Sequence, residues 1–117
     1  MRPPSASSGP SGGGSESGIE RLINAAKEND VKRIVEEIKS GVDVNSRWGE
    51  YRKTALHVAA QYDQSGSVKV LIDARADIEA RSADDFTPLM YATWKGSNEA
   101  LKLLINAGAD REARDER

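Results

Sequence analysis

The apolar residues of this chain are spaced in a pattern that is written three times. Leu22, Ala25 and Ala26 stand at i, i+3 and i+4, and Ile34 and Ile38 follow four residues apart. Leu56, Ala59, Ala60 and then Val68, Leu71, Ile72 repeat the arrangement, as do Leu89, Ala92, Thr93 and then Leu101, Leu104, Ile105. This spacing lays one apolar stripe along a helix. Each unit therefore reads as a first helix with a small-residue face, a tight turn, and a second helix with a larger aliphatic face. Alanines let one helix axis approach its neighbour closely, and branched residues fill the remaining space. The second helix of the first unit is expected over Val31–Lys39, with Lys32, Arg33, Glu36, Glu37 and Lys39 carrying charge outward.

The echo keeps a fixed period. Thr54 and Thr87 are 33 residues apart, and Ala76-Asp77-Ile78-Glu79-Ala80-Arg81 returns in step as Ala109-Asp110-Arg111-Glu112-Ala113-Arg114. A period of this length marks a stack of supersecondary units, none able to bury its apolar face alone. Leu22 lies 34 residues before Leu56, so the first connection, around Trp48–Lys53, holds one extra residue. The turns inside the units carry Asn29, Asp63 and Gly96, the residue types that best tolerate left-handed backbone. Gly41 and Gly108 suit the helix exits for the same reason, while Arg75 stands at the matching position without that freedom. Between units, Val42–Tyr51, Ala76–Asp85 and Ala109–Arg117 are polar and extended, with Gly49 and Asp84-Asp85 as turn formers, and read as β-hairpin-like connections.

Composition narrows the class. Residues 1–18 are mostly Pro, Gly and Ser with Arg2 and Glu16 as their charges, so they have nothing to bury and are expected to form a disordered leader. They lack the apolar segment of a secretory signal. Without cysteine there is no disulfide, thiolate nucleophile or thiolate-bound metal, and a single histidine excludes the usual multi-histidine sites. A net charge of −2 with both signs mixed recruits neither nucleic acid nor an anionic membrane. No apolar run approaches the roughly 20 residues of a membrane span. These features suit a cytoplasmic protein, and at 12.7 kDa one small enough to diffuse into the nucleus.

Thr87-Pro88-Leu89 with Ala92, and Thr54-Ala55-Leu56-His57 with Ala59-Ala60, together with Gly108-Ala109-Asp110 and Gly41-Val42-Asp43-Val44-Asn45, resemble the two signature motifs of the ankyrin-repeat family. The resemblance spans residues 19–117. It implies an all-α fold: a solenoid of three helix–turn–helix units, about 19–50, 51–83 and 84–117, with β-hairpin-like connections. Thr87 then caps a first helix, and Pro88 occupies a first-turn position whose N–H needs no partner. Met90 and Thr93 depart from the motif, so the third unit is expected to pack differently from the second. The resemblance also makes His57 structural, bonding backbone between adjacent units.

Chemistry has few candidates. Adjacent carboxylates such as Glu36-Glu37 point apart on a helix, and no phosphate-cradling glycine loop or metal-ligand spacing is present. Neither a catalytic residue nor a cofactor or metal is assigned, and an enzyme is not expected. The aromatics are more informative. Trp48, Tyr51 and Phe86 lie in connections, and Tyr62 and Trp94 end first helices. In the family these places line a concave groove, and Tyr and Trp are the side chains that most often anchor protein interfaces. The expected function is non-catalytic binding of another protein through Trp48, Tyr51, Lys53, Gln61, Tyr62, Asp84, Phe86, Trp94 and Lys95. The alternative is a structural or regulatory segment of a larger polypeptide that docks through the apolar end formed by Leu101, Leu103, Leu104 and Ile105.

Overall fold

The structure, a computed structural model of the chain, describes residues 17–109. The expected disordered leader therefore lies almost wholly outside the described residues, as does most of the last connection. Six helices follow one another: α1 Gly18–Lys27, α2 Val31–Lys39, α3 Ala55–Gln61, α4 Ser65–Asp73, α5 Pro88–Lys95 and α6 Asn98–Asn106. Helix α1 begins inside the stretch given above to the leader, because Ser17 caps it: its hydroxyl accepts from the Glu20 N–H at 3.1 Å. The first helices α1, α3 and α5 pack in one layer, α2, α4 and α6 in another, and α3 touches both its neighbours and its own partner α4.

The core follows the repeated stripe. Leu22, Ile34, Leu56, Val68, Leu71 and Leu104 are fully buried, and Ala25, Ala26, Ala59, Ala60 and Ala92 fill the close contacts between first helices. Two expectations need correction. Leu104, placed above on an open apolar end, is fully buried; it faces back into the core, and only Leu101, Leu103 and Ile105 are half-buried at that end. Thr93, placed above on the inward stripe, is exposed, and its hydroxyl donates to the Leu89 carbonyl at 2.9 Å. Its equivalent Ala60 is covered by the following unit; no described unit covers Thr93.

Helix ends are satisfied across units as well as within them. Thr54 and Thr87 cap α3 and α5 as the motif implies, with Pro88 in the first turn. Helices α4 and α6 have no cap of their own. Their third-residue N–H groups donate instead to the preceding unit: Ser67 to the Asn29 side chain and Ala100 to the Asp63 side chain, both at 2.9 Å. Asn29 and Asp63 take left-handed backbone, φ 59° and 56°, which aims each side chain out of its turn at the next unit. In return, Gln64 donates to the Lys27 carbonyl at 2.6 Å and Ser97 to the Gln61 carbonyl at 3.2 Å. The same two-bond polar clasp thus closes both junctions, and the Ser67 hydroxyl adds a third bond, to Asn29, at the first. Gly96, φ 70°, shares the backbone of Asn29 and Asp63 but has no side chain to offer.

The connections are hairpin-like without forming strands among the described residues. Trp48 and Lys53 exchange both backbone hydrogen bonds, at 2.9 and 3.1 Å, across a turn that contains Gly49 and a left-handed Arg52. In the next connection the Ser82 N–H donates to the Phe86 carbonyl at 3.0 Å. The two tips meet where the Ala83 N–H donates to the Tyr51 carbonyl at 2.7 Å. Arg47 ties its own turn through the Arg52 carbonyl and reaches the Arg81 carbonyl of the next connection, while Arg81 repeats the first of these contacts with Asp85. These bonds hold the hairpins side by side and fix one wall of a groove.

Candidate functional site

The other wall is made by the first helices. Each turns one face to the core and an i, i+3 pair toward the hairpins: Asn24 and Lys27 on α1, Val58 and Gln61 on α3, Tyr91 and Trp94 on α5. Between the walls lie two hollows. The larger, about 760 Å³, is lined by Tyr51, Lys53, Gln61, Asp84, Phe86, Tyr91 and Trp94. The smaller, about 220 Å³, adds Trp48, Glu50 and Tyr62 with the α1 residues, and shares Tyr51, Lys53 and Gln61 with the first.

Of the residues singled out from the sequence, Tyr51, Lys53, Gln61, Asp84, Phe86 and Trp94 surround the larger hollow, and Trp48 and Tyr62 the smaller. Lys95 lines neither; its ammonium lies 4.7 Å from the centre of the Trp94 ring. Several lining residues were missed, among them Tyr91 in the larger hollow and Asn24, Lys27, Glu50 and Val58 in the smaller. Tyr91 looks like a core position inside the α5 motif, and Lys27 looks like a charged helix end. The repeat would have found Lys27, which shares its register position with Gln61 and Trp94.

Tyr91 is the floor of the larger hollow. It is 3% exposed, and its hydroxyl donates to Ser82 Oγ at 3.2 Å, which locks the ring against the second connection. Phe86 and Trp94 pack on it at 5.4 and 6.3 Å between ring centres, and His57 meets it edge-on at 5.5 Å. Around this fixed ring Tyr51 and Trp94 remain in solvent, 49% and 66% exposed, and along the smaller hollow so do Trp48 and Tyr62, 42% and 48%.

His57 explains why the floor is rigid. Its Nδ1 accepts from the Thr54 N–H at 3.0 Å, completing a reciprocal cap on α3 with the Thr54 hydroxyl. With Nδ1 an acceptor, Nε2 carries the proton and donates to the Phe86 carbonyl at 2.8 Å in the next unit. The ring is fully buried, and desolvation, opposed by the Phe86 and Ala80 backbone and reinforced by Arg47 and Lys53, lowers its pKa to about 4. Both nitrogens are spent on structure, so His57 has no geometry for acid–base work.

Lys53 is the charged group at the centre. Its ammonium donates to Gln61 Oε1 at 2.7 Å and lies 4.8 Å from the Tyr91 ring centre and 5.7 Å from that of Tyr51. Burial first, and then the charge of Lys95, hold its pKa below the usual lysine value, partly offset by Asp84. Among the described residues no group of three or more His, Cys, Asp or Glu side chains is arranged to hold a metal ion. No described helix is long and apolar enough to cross a membrane.

Comparison with known proteins agrees with this architecture. A family model of ankyrin repeats, three copies long, matches residues 22–115. The chain is similar to serine/threonine-protein kinase 12 of Arabidopsis thaliana, 36% identical over 76% of this chain and 19% of that protein. It is also similar to the nuclear factor NF-kappa-B p105 subunit of Mus musculus, 31% identical over 80% of this chain and 10% of the relative. With the neurogenic locus notch homolog protein 1 of Homo sapiens it shares 32% identity over 89% of this chain and 4% of that protein. In each case the chain spans a fifth or less of the relative's length. A 33-residue period, units closed by the same clasp and a matching family model lead to one conclusion: the chain belongs to the ankyrin-repeat family.

Proposed function

We propose that the chain binds another protein through the groove between its hairpins and first helices, and carries out no chemistry of its own. Ankyrin repeats generally mediate protein–protein interaction, and the larger hollow supports that reading here. Tyr51 and Trp94 stand in solvent on either side of a ring that Ser82, Phe86 and His57 hold in place. A stack this small has few large side chains, and those that remain exposed do not stabilise the core. Aromatic groups around a preorganised hollow are the side chains that anchor interfaces, because they bury much area at little entropic cost.

The test compares wild type with a Tyr51→Ala, Tyr62→Ala, Trp94→Ala variant, all three side chains being exposed, after far-UV circular dichroism has shown that the helices persist. Cross-linked partners identified by mass spectrometry are expected to be captured by wild type and by Leu103→Lys, and lost with the groove variant. Capture that survives the groove variant but not Leu103→Lys moves the binding face to the half-buried end formed by Leu101, Leu103 and Ile105, and overturns the reading.

A further inference from the structure

Ion pairs elsewhere on the molecule neutralise their members: Arg21 with Glu37, Arg33 with Asp30, Arg81 with Asp85 and Lys102 with Glu99. The lysines of the groove are set apart by the rings beneath them. Lys27, Lys53 and Lys95 each lie over an aromatic ring, of Tyr62, of Tyr51 and Tyr91, and of Trp94 respectively. Among the described residues none of the three has a carboxylate within ion-pair distance. Asp84 and Glu50 are the acids of the two hollows, and at Lys53 the repulsion from Lys95 outweighs the attraction of Asp84. The charges that line the two hollows balance, Lys27 and Lys53 against Glu50 and Asp84, so the excess positive charge is that of Lys95 beside the larger hollow, over the Trp94 ring.

We propose, on the reading that the groove binds protein, that its occupant is an acidic peptide segment. One of its carboxylates pairs with Lys53 and Lys95, and a neighbouring apolar side chain fills the larger hollow over Tyr91. The ammonium of Lys53 has three donors, of which Gln61 takes one. The π faces of Tyr51 and Tyr91 hold the charge in place but do not replace a charge-assisted hydrogen bond. Burial has already removed part of this ammonium's hydration, so an arriving carboxylate recovers that cost and relieves the repulsion between the two lysines. A basic segment meets the opposite balance. The lysine stems and rings exclude water around the pair, where electrostatic complementarity is strongest.

The experiment pans a random peptide library displayed on phage against the full chain. Enriched sequences are expected to carry Asp or Glu beside an aromatic or branched aliphatic residue. The tightest of them, labelled and titrated, should bind about tenfold or more weakly to the Lys53→Met, Lys95→Met variant. Binding should be retained by Lys53→Arg, Lys95→Arg, and should weaken as salt rises. Because Lys95 is exposed, Lys95→Met alone gives the same direction of change with no demand on folding. Enriched peptides without acidic preference, or binding indifferent to both lysines, overturn the inference and leave the protein-binding groove standing. Acidic peptides that bind the Tyr51→Ala, Tyr62→Ala, Trp94→Ala variant as well as wild type overturn the groove reading itself, and no enrichment overturns both. Oligothymidylate bound more tightly than any peptide replaces the acidic protein segment with a nucleic-acid strand.

Discussion

At the junction of the first and second units, Asn29 caps α4 and Gln64 reaches back to the Lys27 carbonyl; at the next junction, Asp63 caps α6 and Ser97 reaches back to Gln61. The edges of the two junctions share one pattern, a side-chain oxygen capping the next unit and a side chain reaching back to a carbonyl, with the Ser67 hydroxyl adding a bond to Asn29 at the first. Their centres differ. Only the second junction has a buried histidine bridging two units, from Thr54 through His57 to Phe86, with Tyr91 packed on its ring. At the first junction the position of His57 is taken by Ile23, an apolar side chain that bonds to nothing. The repeated edges therefore set register between units, while the singular centre ties the core to the groove floor. Stability and groove shape are coupled at one junction and separable at the other.

Removing His57 should have the largest effect. His57→Ala leaves the Thr54 N–H without its side-chain acceptor, leaves the Phe86 carbonyl with the Ser82 N–H as its remaining donor, and opens a cavity beneath Tyr91, for an expected loss of about 3 kcal/mol in urea unfolding. A loss under about 1 kcal/mol would show that the second junction is held by its edges alone. The same ring makes stability depend on pH. The folded pKa of about 4 lies below the value of 6.5 for an unperturbed histidine, so between these values the unfolded chain binds the extra proton. The contribution of His57 is then complete above about pH 6.5 and is lost progressively as pH falls toward 4, on the order of 3 kcal/mol in all. As the single histidine, it can be followed directly by NMR titration; a midpoint near 6.5 in the folded protein contradicts the bridge.

The clasps should contribute less and about equally. Asn29→Gly and Asp63→Gly keep the left-handed backbone but remove the side-chain oxygen that accepts from the next unit, and each is expected to cost about 1 kcal/mol. Unequal losses would mean that the matching geometry hides different energetics. Arg75 gives the smallest effect, with the opposite sign. It takes φ 72° where Gly41 and Gly108 occupy the matching helix exits, so Arg75→Gly should stabilise by up to about 1 kcal/mol and raise Tm by a few degrees. An unchanged or lower Tm would show that Arg75 makes a compensating contact in solution.

Much of this was legible in the chain because the repeat states each position more than once. The stripe of Leu22, Leu56 and Leu89, the turn residues Asn29, Asp63 and Gly96, and the caps Thr54 and Thr87 all stand where local rules put them. Local rules act through backbone geometry and short-range bonds, which neighbours in sequence decide. Most of the groove's aromatic wall could be read in the same way, because large rings outside the apolar stripe have few other places to go.

Tertiary structure alone decided what depends on neighbours in space. Leu104 and Thr93 each stand on an apolar stripe of the third unit, yet one is buried and the other exposed, because burial is set by whether another helix lies over the position. Nothing local marks the Asn29 and Asp63 side chains as caps for helices more than thirty residues away. Tyr91 reads as core and proves to be the groove floor, since only the docked second connection brings Ser82 and Phe86 to its ring. Periodicity settled the units and their order, whereas the electrostatics of Lys53 and the shape of the groove required three units to be stacked.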